Sequence, residues 1–471
     1  MMEDALAYLE GVRERKVWTP IPAETRAFLA AEAKAPPSAP TAPEAVYETF
    51  RREILPQTMG NIHPRFWGWV IGTGSATGAL AEFLAATMNP NVGGGQQLPH
   101  ELELVVMAWM KRLMGFPADA SGLLVSGGSM ANLVGLTVAR NAKAEVDVVT
   151  RGLTAAPRPM TLYASSEVHN SVTKGLALLG LGRDALRTVP VDGAFKLDLA
   201  ELRERVRADR AAGLHPFCVV GTAGTVNTGA IDDLEAIADY CAAENLWFHC
   251  DGAFGAVPML SPALRPQVLG LERADSLAFD LHKWMHVPYE AGVALVRHAE
   301  AHHASFRVPA SYLTHATGGM GAADLWLSEY GVQLSRSFRA LKVWWLLKEH
   351  GVEKYGRLVE QNCAQARDLA ARVDAEPELE RLAPVELNIV CLRWRGTGGL
   401  DDEALDRLNE ALLVGLQEDG VAMPSSTELH GRFAIRVCVT NHRSRREDFD
   451  LFLSELLARG RRLAAAAAPA R

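Results

Sequence analysis

The chain has 471 residues, 48% of them apolar and 22% charged, with a mean hydropathy near zero. That composition can bury a large core over two or three domains. A formal charge of -8, spread without long single-sign blocks, argues against a nucleic-acid footprint.

The first ten residues are acidic and polar and lack the apolar core of a secretion signal. No stretch reaches the ~18 continuous apolar residues that span a bilayer. A cytoplasmic protein with no membrane attachment is expected. Residues 4–15 have helical spacing, residues 17–22 form a strap whose prolines fix φ, and a second helix starts at Ala23. A proline-rich linker at 35–43 precedes a third helix at 44–54. These helices are too few to enclose a core and need another surface. Residues 61–69, with His63, Phe66, Trp67 and Trp69, are dense in aromatics, which taken alone favours core over pocket. In the helix expected over 98–114, Glu101 and Glu103 suit the positive amino-terminal end.

From Ser121 to about Arg297 strands and helices alternate, the pattern of a largely parallel α/β sheet with ligands beyond its strands' carboxyl ends. An apolar strand over 123–125 runs into Ser126, the turn Gly127-Gly128 and a helix. Glycines let backbone N–H groups approach an anion, Ser129 adds a donor, and the helix terminus adds positive potential. On its own such a turn is a weak phosphate signal. His169 opens a helix, a position usually structural or solvated. Thr222 leads from a strand into a turn of small residues, and Asp232 reads as the cap of the next helix.

Residues 245–251 read as a buried strand ending in Asp251, a carboxylate that can pair with a pyridinium nitrogen. Lys283, between His282 and Trp284, can lie half out of water, where lost solvation lowers its amine pKa and makes it nucleophilic, as a Schiff-base lysine requires. Singly, such residues are more often a turn acid and a solvated cation. Together they are the pair that pyridoxal phosphate (PLP) chemistry needs, one for the ring nitrogen and one for the aldehyde. The six cysteines are scattered, with no C-x-x-C pair and no histidine at ligand spacing; they read as buried free thiols, and no metal site is expected. The last hundred-odd residues supply one long helix over 337–373, strands such as 387–392 and a final helix, with 461–471 as a frayed tail.

The run Ala-Asp-Ser-Leu-Ala-Phe-Asp-Leu-His-Lys-Trp at 274–284 resembles the PLP-lysine segment of the group II amino-acid decarboxylases, the family of aromatic-L-amino-acid, glutamate and histidine decarboxylases. Ser126-Gly127-Gly128-Ser129-Met130-Ala131-Asn132 resembles the family's Ser-Gly-Gly-[ST]-x-Ala-Asn phosphate cradle. The motifs around His169, Thr222 and Asp251 fall between them in the family's order. Weaker similarity extends through the amino-terminal arm and residues 336–342.

This resemblance implies an α/β protein of PLP fold type I, like aspartate aminotransferase, with a mostly parallel central sheet. It implies a helical arm (1–84), a large PLP-binding domain (85–360) and a small carboxyl-terminal α/β domain (361–471). Gly128 and Ser129 would contact the phosphate, and His282 the phosphate or the lysine loop. His169 would stack on the ring and assist proton transfer, Ala253 would cover the other face, and Thr222 would sit on the cofactor face. Asp251 would hold the ring nitrogen and Lys283 the aldehyde. His63 and Trp69 would belong to the substrate pocket.

The glycine-hinged segment 312–330 resembles the family's lid. Aromatic decarboxylases carry there a tyrosine that returns a proton to Cα. An ungapped count places Leu327 at that position and Tyr330 three residues away, so the donor is Tyr330 or is missing. Departures at 70–78 and 91–97 imply a different, wider substrate pocket. The resemblance further implies a homodimer, its arm lying across the partner, that converts an L-amino acid, aromatic by preference, into amine and CO2. An aldehyde synthase, an aminotransferase and a non-catalytic scaffold are the alternatives; retained Asp251, His169 and Lys283 speak against the last.

Overall fold

The structure is a computed structural model that describes residues 1–308 and 318–467. The short strand β1 (Phe66–Trp67) comes first. It is followed by β2 (Ser121–Val125), β3 (Met160–Ser165), β4 (Leu186–Val189), β5 (His215–Thr222), β6 (Trp247–Asp251), β7 (Ser276–Asp280) and β8 (Gly292–Val296). The last four are β9 (Leu379–Arg381), β10 (Ile389–Trp394), β11 (Met423–Leu429) and β12 (Arg432–Cys438).

Strands β2 to β8 form a seven-stranded sheet in the order β2-β8-β7-β6-β5-β3-β4. Neighbours from β4 across to β7 pair in parallel, and β8 lies antiparallel between β7 and β2. Since β2 and β7 both oppose β8, they run the same way. The carboxyl ends of β2, β3, β5, β6 and β7 therefore open on one edge, where crossover loops gather. The residues of β3, β6 and β7 are buried throughout, as expected when helices cover both faces of a parallel sheet. The helix Gly128–Lys143 packs across β6, β7 and β8 and buries Val134, Leu136 and Val138 completely. Each such side chain contributes about 1.5–3 kcal/mol.

The chain divides into two compact units, residues 70–370 with 383–390, and residues 1–69 with 371–382 and 391–471. This differs from the three segments expected. The arm shares a unit with the carboxyl-terminal segments, tied by Arg13 to Asp448 at 2.8 Å and by the Val17 N–H to the Gly420 carbonyl at 3.2 Å. Its strap thus finds a surface within the chain, and Val12 and Val17 are buried. The smaller unit carries a five-stranded sheet in the order β1-β11-β12-β10-β9.

Three local expectations need correction. The single helix over 337–373 is two, Arg339–His350 and Val352–Ala375, interrupted at Gly351, whose φ of 71° breaks the helical path. The last helix, Arg446–Ala467, continues through residues read as a frayed tail, with Arg461 Nε donating to Glu378 at 2.8 Å. Residues 468–471 of that tail lie outside the described residues. Asp232 does not cap the helix Leu234–Glu244; Asp233 does, accepting from the Ala236 N–H. The Asp232 carboxylate instead accepts the N–H groups of Leu197 and Thr222, each at 2.8 Å. Burial pushes its pKa up to about 6. All six cysteines are buried and free.

Candidate active site

Strand β7 ends at Asp280, and the chain then turns through Leu281 and His282 to Lys283. The N–H groups of Leu281 and His282 both donate to the Ala291 carbonyl, at 3.0 and 3.2 Å, so the turn is pinned to the residue before β8. Lys283 Nζ lies 2.9 Å from Asp280 Oδ2. Asp280 is 1% exposed, and its Oδ1 has no hydrogen-bond partner among the described residues. The expected drop in the Lys283 pKa is reversed here. Burial does push the ammonium down, but Asp280 beside it, helped by Asp251, outweighs burial and holds the pKa above its ordinary value.

Strand β6 delivers Asp251, 3% exposed, to the same edge. Its carboxylate accepts from Asn132 Nδ2 at 2.8 Å and from the Ala253 N–H at 3.1 Å. The loop after β3 ends at His169, which caps the helix Asn170–Leu178 by accepting the Ser171 N–H at Nδ1, 3.2 Å away. Burial lowers the His169 pKa; Asp251 opposes the shift and Lys283 adds to it, which places this imidazole within the field of both groups. At the end of β5 the Thr222 hydroxyl is buried without a partner among the described residues, while its N–H is held by Asp232.

The turn after β2 completes the arrangement. A Cβ added to Gly128 would stand 2.9 Å from Asp280 Oδ2 and 3.5 Å from the Ala253 Cβ. One added to Gly292, at the start of β8, would stand 2.5 Å from the Gly127 Cα. Only glycine permits this approach. Gly128 is the first residue of its helix, beside Asp280, and Ser129 is exposed in the first turn, so the free N–H groups of that turn open at the edge that carries Lys283 and Asp251. A cradle at a helix terminus, a buried hydroxyl with no partner among the described residues (Thr222 Oγ1), the Asp251 carboxylate and a lysine suit a phosphorylated aldehyde on an aromatic ring.

Residues 27–395 match the model of the pyridoxal-dependent decarboxylase conserved domain. The chain belongs to that family. It is 33% identical over 408 residues to an aromatic-L-amino-acid decarboxylase of Bacillus atrophaeus, covering 86% of this chain and 83% of the relative. It is 31% identical to a histidine decarboxylase of Drosophila melanogaster, covering 95% of this chain and 53% of that longer protein. The crystal structure of Oryza sativa TDC with PLP and tryptamine superposes with a TM-score of 0.89 at 24% identity, covering 98% of this chain and 96% of that one, a likeness of fold. The protein is thus a PLP-dependent carboxy-lyase acting on an amino acid, with the fold type I architecture.

Lys283, Asp251, His169, Gly128, Thr222, Ala253 and His282 of the decarboxylase all belong to the larger unit. His63 and Trp69 belong to the smaller one. His63 is closed into its turn, with Nδ1 accepting the Arg65 N–H at 3.0 Å, and burial with Arg65 nearby lowers its pKa to about 4. Trp69 is 48% exposed at a φ of 50°, its backbone held by Ser425 and Arg436. A cavity of about 490 Å³ in the smaller unit is lined by arm residues, Tyr8, Trp18, Thr58 and His63 among them. In the lid segment, residues 309–317, including Tyr312, lie outside the described residues. Tyr330 packs its ring against His302 and His303, with centroids 5.1 and 5.2 Å apart, and Leu327 is buried.

Sequence reasoning missed Asp280, Asn132 and Tyr289. The first stands three residues before the lysine and the second closes the cradle motif, so each carried a signal that went unused. Tyr289 carried none. It reaches the site because the turn folds its ring to 4.4 Å from that of His282, and its hydroxyl accepts the Gly72 N–H at 3.4 Å.

Proposed function

We propose that the enzyme decarboxylates an aromatic L-amino acid to its amine and works as a cytoplasmic homodimer. One observation carries the reading: Lys283, Asp251 and His169 come from three separate strand ends to one edge of the sheet, above the Gly127-Gly128 turn. Bound PLP supplies an electron sink for the bond broken at the substrate Cα. Lys283 Nζ would be the point of covalent attachment, with the Asp280 carboxylate 2.9 Å away to hold its proton. Asp251, already accepting two N–H donors, keeps a lone pair for a protonated ring nitrogen. His169 would cover the ring and bring an imidazole to the reacting face. Thr222 Oγ1 offers a donor that no group among the described residues uses. The aromatic preference rests on the relative that is 33% identical. The dimer rests on the exposed apolar row Leu80, Phe83, Leu84 and Met88 along the helix Ala76–Met88. Buried free thiols fit a reducing compartment.

A second reading, oxygen-dependent aldehyde formation, is favoured by the buried leucine at the position counted for the lid tyrosine. Incubating the protein with PLP and each of the twenty amino acids, while recording CO2, amine, aldehyde and peroxide, separates the two. Amine with stoichiometric CO2 from an aromatic substrate is the expected result. Aldehyde and peroxide with oxygen uptake would install the second reading, and CO2 from a non-aromatic substrate alone would remove the aromatic preference.

A further inference from the structure

Behind Asp251 and His169 runs a buried line of polar side chains that the chemistry above leaves unused. Trp247 Nε1–H donates to Ser276 Oγ at 2.8 Å, Ser276 Oγ lies 2.7 Å from His249 Nδ1, and His249 Nε2 lies 2.9 Å from Asn132 Oδ1. The Asn132 amide donates to Asp251 Oδ2 at 2.8 Å and to Ser171 Oγ at 2.9 Å, and Ser171 Oγ lies 2.8 Å from His169 Nδ1. His249 and Ser276 are fully buried and Asn132 is 1% exposed. The helix Gly128–Lys143 seals the line: a Cβ on Gly135 would stand 2.6 Å from His249 Cε1.

One assignment of protons satisfies every link. An indole N–H only donates and a carboxylate only accepts. The Ser276 hydroxyl, having accepted from Trp247, gives its proton to His249 Nδ1. That leaves the His249 proton on Nε2, facing the Asn132 oxygen. Turning the Asn132 amide over would set its oxygen against the Asp251 carboxylate and its NH2 against the His249 N–H. The Ser171 hydroxyl, having accepted from Asn132, donates to His169 Nδ1, which also receives the Ser171 N–H at 3.2 Å. A proton on His169 Nδ1 would collide with that N–H. All donors therefore point one way, from Trp247 toward the two cofactor-flanking groups.

We infer that Asn132, oriented by His249 and Ser276, is a positioning residue that supplies one donor to each branch, keeping Asp251 an acceptor and, together with the Ser171 N–H, His169 protonated on Nε2. The inference rests on Asp251 and His169 being the residues that flank PLP. It makes His169 a hydrogen-bond donor toward the site rather than a base. The buried, neutral state of His249 follows from the same chain: burial holds its pKa down at about 4 although Asp251 pulls it up.

The test is nitrogen NMR of histidine-labelled protein, before and after loading with PLP labelled at the ring nitrogen. In the wild type, His169 and His249 should both be neutral with the proton on Nε2 across the neutral range. Asn132→Leu removes the donor that orients the Ser171 hydroxyl; with the Ser171 N–H still directed at Nδ1, His169 should keep its proton on Nε2, while its Nδ1 resonance moves and its titration midpoint rises as the hydroxyl bond to that nitrogen weakens. The charges facing His169 stay in place: Asp251 and Asp280 favour its protonation, Lys283 and Lys174 oppose it. The PLP ring-nitrogen signal should move as well, because Asp251 loses a donor. Ser171→Ala, which cuts one branch, should change His169 and leave the ring nitrogen alone; it decides the matter if Asn132→Leu does not fold. A wild-type His169 protonated on Nδ1, or variants with unchanged histidine spectra, would overturn the relay. PLP found on a lysine other than Lys283 would instead overturn the site assignment, while the histidine spectra would still decide the proton arrangement.

Discussion

At Lys283 the local electrostatics run against the chemistry, because an amine must lose its proton before it attacks a carbonyl and Asp280 holds that proton in place. Since the pKa is raised, the ammonium side of the pair is fully charged below the ordinary lysine value and is lost only as pH climbs through the raised one. Asp280→Asn should leave burial opposed only by the weaker pull of Asp251 and Tyr289. The pH profile of PLP attachment should then shift toward lower pH, with attachment roughly tenfold faster at neutral pH. An unchanged profile would show that Asp280 does not restrain the lysine. Borohydride treatment of the loaded enzyme, followed by peptide mapping, should place the cofactor on Lys283. Lys283→Ala should reduce turnover by roughly 10³-fold or more with the fold preserved by circular dichroism. The lysine and its carboxylate were readable from contiguous residues. The Asn132–His249 contact was not, because its partners are 117 positions apart and meet only when a helix crosses the sheet.

The elements that matter most are two short ones, the Gly127-Gly128 turn and the first residue of β8, which press against each other. Gly292→Ala would drive a methyl group to 2.5 Å from the Gly127 Cα, backbone that cannot swing aside. The turn must shift, and the dissociation constant for PLP should rise by about tenfold or more, from the loss of one or two charge-assisted bonds to phosphate. Equilibrium dialysis of the variant measures this; unchanged affinity would mean that the turn does not hold the phosphate. The order of strands and helices followed from apolar runs and glycine punctuation. Which of two adjacent acids caps a helix did not, because Asp232 and Asp233 differ in backbone geometry and not in chemistry. The break at Gly351 was present in the sequence as a glycine after a basic turn, outweighed by apolar spacing on both sides.

For the whole molecule, three buried histidines set the response to acid. Burial lowers His63, His249 and His302 to about 4 from 6.5. Between those values the unfolded chain binds protons that the native protein refuses, so stability falls as pH falls. Asp232, raised from 3.8 to about 6, acts in the opposite sense over nearly the same range. The three histidines outweigh the one carboxylate, giving a loss of roughly 3 kcal/mol per pH unit near pH 5 from these groups. Urea midpoints measured from pH 7 down to pH 5 should drop accordingly; a flat profile would mean that these imidazoles reach water. Sedimentation should show a dimer, and Phe83→Glu should weaken it, since the substitution places a charge in the apolar row. A monomer that keeps full activity would contradict the proposed assembly.

The antiparallel strand β8 also bears on the order in which the protein forms during synthesis. Strand β2 lies at the rim of the seven-stranded sheet and is bonded to β8 alone, Val125 opposite Gly292, so it stays unpaired while the five strands between them emerge and pair. The turn at Gly127-Gly128 hangs from that waiting strand. Closure of so long a loop is slow, and a nascent chain released before residue 296 could hold Asp251 and Lys283 in place and still have nowhere to put a phosphate. Cofactor capture should therefore report the last step of folding: in refolding experiments the PLP absorbance should appear after, and not with, the recovery of helical signal.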